Sequence, residues 1–191
     1  DAFQLANRAM FMQRVQLAIQ REYPASYPDE KDLSNVLKDI DYGTADETFS
    51  KDRYAWRPFQ LAFMLLDVAS VTDDDSADRS LVDLIWFPTG GGKTEAYLGL
   101  TAMAIFYRRF RHPAQGGGTT VIMRYTLRLL AAQQFTRAST LICACEFIRK
   151  DCESKKSRYR RYALGTTPIT IGLWIGGEHT PNTDDGAKKN L

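Results

Sequence analysis

Cysteine is scarce and confined. The 191 residues hold three, Cys143, Cys145 and Cys152, all in one segment that reads as helix. An odd number, with two of them spaced so that their side chains diverge, argues against a disulfide framework, and a zinc site would need a fourth ligand. Buried or idle thiols in a reducing compartment are expected. Long apolar runs are missing as well: none approaches the roughly 20 residues that span a membrane, so no membrane partner is expected. The first residues, Asp1-Ala2-Phe3-Gln4, are neither a signal peptide nor an initiating methionine. A cytoplasmic chain that is part of something longer is the expectation. A strong overall charge is also lacking, at +2, but the balance is uneven. Residues 1–85 carry nine Lys/Arg against sixteen Asp/Glu, and residues 86–191 carry sixteen against seven, which makes the second part the better nucleic-acid face.

What is present is organised around Leu84-Ile85-Trp86-Phe87-Pro88-Thr89-Gly90-Gly91-Gly92-Lys93-Thr94-Glu95-Ala96-Tyr97. An apolar run breaks into three glycines, then lysine and threonine, then a helical pattern, which is the layout of a phosphate-binding loop. Glycines let the backbone curl with positive φ so that N–H groups turn toward phosphate oxygens, and the following helix adds its positive N-terminal end. Lys93 is placed to reach the β- and γ-phosphates, and Thr94 to hold Mg²⁺ through its hydroxyl, so ATP with Mg²⁺ is the expected ligand.

Before the loop, residues 3–20 place Leu5, Ala6, Met10, Val15, Leu17 and Ala18 at a helical period. Prolines 24 and 28 predict irregular structure, with a short helix around Leu33 to Ile40. Pro58 sits where a helix would begin. Residues 71–80, with Asp73, Asp74, Asp75 and Asp78 among serines, read as a solvated loop. Residues 81–87, 119–124 and 168–175 are short and apolar, as central strands of a parallel sheet are. Helices are predicted over 95–111, with Ala96, Leu100, Ala104 and Tyr107 on one stripe, and from Tyr125 to about Lys150. Residues 149–162 mix cations with tyrosines, which suits a single strand of nucleic acid or a plain solvated connection.

The loop departs from the general pattern in having Phe87 where the first glycine stands, and Pro-Thr-Gly-Gly-Gly-Lys-Thr resembles motif I of superfamily 2 helicases. Arg57-Pro58-Phe59-Gln60 resembles their glutamine motif, whose amide pairs with adenine through one donor and one acceptor. The resemblance implies nucleotide contacts from Arg57, Gln60, Thr89, Gly90, Gly91, Gly92, Lys93, Thr94 and Glu95. The junction at Tyr125-Thr126 is similar to motif Ia, with tyrosine in place of the usual proline. Thr126 and nearby amides suit a backbone phosphate there, with Arg124 or Arg128 adding charge, although an ordinary helix start would look the same. Gly176-Gly177 resembles the glycine pair that follows motif Ia, where a nucleic-acid backbone approaches closely.

This likeness implies an α/β fold: residues 54–191 as part of a first RecA-like ATP-binding domain with a parallel sheet, and residues 1–53 as an N-terminal helical extension. No acidic magnesium-binding motif follows Ile175. Within the superfamily, Phe-Pro-Thr-Gly-Gly-Gly-Lys-Thr-Glu-Ala-Tyr-Leu-Gly-Leu looks most like the large bacterial helicases of phage-defence systems of the DISARM type. That implies ATP-driven movement on nucleic acid, DNA more than RNA, beside other defence subunits. Two other classes stay open: a P-loop NTPase that acts on something other than nucleic acid, and a non-catalytic module that binds nucleotide as a structural ligand.

Overall fold

The computed structural model describes residues 1–22, 55–88, 90–155, 157 and 159–174, with Thr183 and Lys188 as isolated positions. Four α-helices are built from them: α1 (Ala2–Glu22), α2 (Pro58–Thr72), α3 (Lys93–Arg111) and α4 (Arg128–Cys152), with a short 3-10 turn at Ala77–Ser80. The helix expected around Leu33 to Ile40 lies outside the described residues.

Each helix starts where local chemistry permits. Pro58 occupies the first turn of α2, where its missing N–H costs nothing and its fixed φ suits the helix, while the Gln60 carbonyl oxygen accepts from the Arg57 N–H at 2.8 Å. Gly92 caps α3 in a left-handed conformation. Residues 108–111 bring three arginines to the last turn of α3, beside the carbonyl end of the helix dipole.

The core is a three-helix arrangement in which α1 packs on both α3 and α4. Leu5, Ala9 and Met12 of α1 meet Leu98, Ala102 and Phe106 of α3 and Leu141, Cys145 and Ile148 of α4 in one apolar cluster. The cysteines are free, with Cys145 and Cys152 buried and Cys143 exposed. The stripe expected on α3 is fully buried at Ala96 and partly buried at Leu100, Ala104 and Tyr107, and a second face is buried more deeply. Leu98, Ala102, Ile105 and Arg109 face the other helices, and Leu100, Ala104 and Tyr107, about half a turn away, line a groove on the opposite side. A helix apolar on both sides must be covered on both. Here α2 supplies part of the second cover, through Phe63 against Tyr97 and through the Tyr107 hydroxyl donating to the Thr72 carbonyl.

The expected α/β fold with a parallel sheet is corrected here: among the described residues no strand is formed. The three apolar runs are non-helical, but each meets its backbone requirements by other means or leaves its side chains in water. Val82 is 95% exposed, Trp86 90% and Ile122 79%, so residues 81–87 and 119–124 are not central strands. Arg108 accounts for carbonyls in the second region, donating to Thr119 at 3.0 Å and to Gly117 at 2.8 Å. The third run, 168–175, is approached by buried side chains instead of a neighbouring strand. Arg109 donates to the carbonyls of Thr167 (2.7 Å) and Pro168 (3.2 Å), Arg149 donates to Gly165, and the Glu146 carboxylate accepts from the Ile169 N–H. Arg149 sits between Glu146 and Glu153, and the hydrogen bonds from its guanidinium hold the Glu146 carboxyl below the usual range. Backbone groups near the core need partners, and side chains from α3 and α4 supply them. An apolar run records a preference for burial; pairing is a separate requirement that the residues themselves do not meet.

The helical core and the exposed runs predict opposite responses to truncation. Phe106→Ala, in the centre of the cluster, is expected to cost about 3–5 kcal/mol in chemical denaturation. Leu84→Ala, in a run that a sheet would bury, should stay within about 0.5 kcal/mol of the parent. A loss of several kcal/mol at Leu84 would restore that run to a core.

Candidate functional site: the glycine loop and its surroundings

The loop lies between the end of run 81–88 and the first turn of α3. Thr89 falls outside the described residues. Gly90 and Gly92 take φ of +80° and +93°, the left-handed region that costs any other residue strain, whereas Gly91 does not. The Gly91 N–H donates to the Pro88 carbonyl at 3.2 Å and closes a turn. Gly92 brings no side chain to cap α3, so the first-turn amides keep the positive end of the helix without a side-chain acceptor.

Lys93 folds back over this turn, its ammonium donating to the carbonyls of Phe87 and of Pro88, the latter at 3.1 Å. These contacts are solvent-accessible, so an anion at the loop can compete for the same ammonium. Thr94 lies beside it in the first turn, partly covered.

Residues of α2 brace the loop from the other side. Arg57 donates to the Gly91 carbonyl at 2.7 Å, and the buried Gln60 amide donates to the Gly92 carbonyl at 2.8 Å. Gln60 thus has its oxygen on the start of α2 and its nitrogen on the loop. A Cβ at Gly92 would meet that nitrogen at 2.8 Å and displace the Gln60 amide, and the φ of +93° would strain any other residue there. Phe59 stacks on Phe87 with ring centroids 4.2 Å apart, which fastens the residues just before the loop to the same helix.

Glu95 does not point at open solvent. Its carboxylate pairs with Arg14 of α1 at 3.5 Å and with Arg137 of α4. Arg14 and Arg137 were not marked by the sequence, since nothing in their spacing ties them to a loop 42 or more residues distant.

The expected nucleic-acid residues are placed more loosely. Arg124 and Thr126 are exposed in the segment ahead of α4, and Arg124 lines a groove of about 920 Å³ with Tyr97, Tyr107, Arg108, Arg111 and Tyr125. Arg128 is the first residue of α4, and the preceding Leu127 offers it no side-chain cap. Gly176 and Gly177 fall outside the described residues. Among the described residues, no group of three or more His, Cys, Asp or Glu gathers to hold a metal ion, and no helix is long and apolar enough to cross a membrane.

In comparisons with known proteins, 152 residues of the chain are 42% identical to DISARM protein DrmA of Bacillus paralicheniformis, covering 77% of this chain. The chain resembles DrmA. It spans only 13% of DrmA's length. No family model matches the chain, and no solved structure does.

One buried group of α2 was not anticipated. Asp67 is buried on α2, and burial first, then the neighbouring Asp83 carboxyl, push it up to about 6. A proton held there supplies the buried Oδ2, which otherwise meets no donor, with a bond toward Asp83. Because the folded state holds this proton more tightly than the unfolded chain, the sign is unfavourable: stability falls as pH rises from about 4 to about 6. Asp67→Asn, which keeps a donor at every pH, is expected to stabilise the protein by about 1–2 kcal/mol at pH 7.5 and to have little effect near pH 4. Thermal melts at the two pH values measure this; equal effects at both would show that Asp67 does not titrate between them.

Proposed function

We propose that this chain is the nucleotide-binding part of a DrmA-like DISARM protein that binds ATP with Mg²⁺ at Gly90 to Thr94 and uses its hydrolysis to move on nucleic acid, DNA in preference to RNA, in bacterial phage defence. The observation that carries the reading is the joint geometry of the loop: two left-handed glycines, an uncapped helix start, and an exposed lysine ammonium held only by backbone carbonyls. The likeness to DrmA supports the defence setting. The helicase or translocase activity and the company of other defence subunits rest on the motif resemblance.

The residues present fit the ligand. Lys93 exchanges its contacts with Phe87 and Pro88 for phosphate oxygens, and the first-turn amides of α3 face the same charge. The Thr94 hydroxyl, in the first turn of α3, would be the group to hold Mg²⁺, which would neutralise phosphate charge there. When bound, ATP supplies the phosphoryl group that is transferred to water. Arg57 and Gln60 engage the carbonyls of Gly91 and Gly92, and the Gly91 N–H would have to leave the Pro88 carbonyl to face a phosphate. For Gln60 to read adenine as well, its amide must leave Arg57 or Gly92. On the nucleic-acid side, Arg124, Thr126 and Arg128 lie at the start of α4, where an uncapped helix end and cations suit backbone phosphates without reading sequence.

Lys93→Ala in the intact protein is expected to lower ATP hydrolysis by about 100-fold or more while leaving the melting temperature in place, because the side chain contacts only loop carbonyls. Phosphate release, measured with and without single-stranded DNA, decides it. Retained hydrolysis would remove the loop from catalysis, and hydrolysis lost in Lys93→Ala but indifferent to DNA and RNA in the parent would favour a different substrate.

A further inference from the structure

Three helices meet beside the first turn of α3, and the meeting is polar. The Glu95 carboxylate, its side chain 15% exposed, lies two residues beyond Lys93. It is held by Arg137 of α4, whose side chain is 29% exposed, and at 3.5 Å by Arg14 of α1. At the same level the wholly buried Gln13 amide of α1 donates to the Arg137 carbonyl at 3.4 Å, and its own oxygen meets no donor. Arg137 is therefore fixed at both ends, its backbone to α1 and its guanidinium to α3. Its charge also reaches Tyr125, the residue before Thr126, where it opposes the upward push that burial gives the phenol.

This placement has an electrostatic consequence. A carboxylate in the first turn of a helix is itself stabilised by the dipole, and it repels any second anion brought to the same end. Glu95 is such a carboxylate, one turn from the loop that would take a polyphosphate. It tolerates that neighbour only while its own charge is met, and Arg14 alone, longer and more exposed, meets it less well. Arg137 lies on α4, the helix that segment 124–128 leads into, and its ion pair holds Glu95 of α3, so one side chain joins the loop's helix to the element that would take a nucleic-acid phosphate at its start.

Building on the nucleotide reading above, we infer that Arg137 is a positioning residue that neutralises and orients Glu95 for phosphate entry at the loop and thereby couples the loop to the nucleic-acid segment ahead of α4. The coupling is reciprocal, since nucleic acid that tightens ATP binding must be tightened by ATP to the same degree, and such linkages usually run from about 5-fold to about 150-fold. Glu95, by contrast, contributes repulsion when it is left unmatched.

The test is the affinity of the intact protein for a fluorescent ATP analogue with Mg²⁺, titrated with and without saturating oligothymidine. In the parent, the oligonucleotide should shift the dissociation constant several-fold. Arg137→Met is expected to weaken nucleotide binding about tenfold and to reduce the oligonucleotide's shift to less than about twofold. Adding Glu95→Gln to Arg137→Met should restore the affinity, because the unmatched charge is gone, but not the shift, because the link is gone. A purely structural role would not produce that split, and melting temperatures of all variants are read alongside. If Arg137→Met does not fold, Arg137→Lys carries the test: it keeps the charge and loses the two-sided fork, so affinity should hold while the shift falls. An Arg137→Met or Arg137→Lys protein that keeps the full shift overturns the inference, as does a double variant as weak as the single one. A parent that binds no nucleotide overturns the reading of the loop itself, and one that binds nucleotide without any response to oligothymidine overturns the coupling alone.

Discussion

Helix α3 has to be covered on nearly every side, and the rest of the described structure follows from that requirement. Its face at Leu98, Ala102 and Phe106 closes against α1 and α4, and its face at Leu100, Ala104 and Tyr107 borders a groove whose other walls come from α2 and the segment 120–125. The consequence for the loop is direct. A helix held this firmly gives Lys93 and Thr94 a fixed base, and the hydrogen bonds from α2 add the shape of the loop ahead of it. Residues at a site need rigid support to be useful, and α3 provides it.

Charged side chains then do what neighbouring strands would do in a sheet. Arg109 and Arg149, both buried, reach across to carbonyls at residues 165–168, and Glu146 takes the N–H of Ile169. Buried charge is costly unless it is matched, and here each arginine is matched by a carboxylate or by several carbonyls. Burial and the nearby Arg149 hold Arg109 below its ordinary value, while Glu146 raises Arg149. The two arginines thus form one network that fastens the chain after α4 to the ends of α3 and α4.

The glycine loop is held from two directions that differ in character. From α2 it is gripped by hydrogen bonds to backbone carbonyls, through Arg57 and Gln60, with Phe59 stacked on Phe87. From α1 and α4 the grip is electrostatic and falls on Glu95 alone. Hydrogen bonds to the loop's carbonyls set its shape, and the ion pairs at Glu95 tie the first turn of α3 to α1 and α4.

Much of the local structure was legible in the residues. Pro58 and the helical periods announced α1, α2, α3 and α4 within a few residues of their ends, and the free cysteines followed from their spacing. The glycine-lysine-threonine run marked a loop ahead of a helix, and the turn there needs the flexibility that glycine alone has. These features depend on neighbours along the chain, which is why the sequence by itself determined them. Strand pairing, the buried face of α3, the occupation of Gln60 by loop and helix backbone, and the meeting of Glu95 with Arg14 and Arg137 depend on residues far apart in the chain. Apolar runs at 81–87 and 119–124 satisfied every local rule for a strand and still pair with no strand among the described residues. Burial and pairing are settled by what else competes for the same space, and only the tertiary structure decided that competition in favour of the helices.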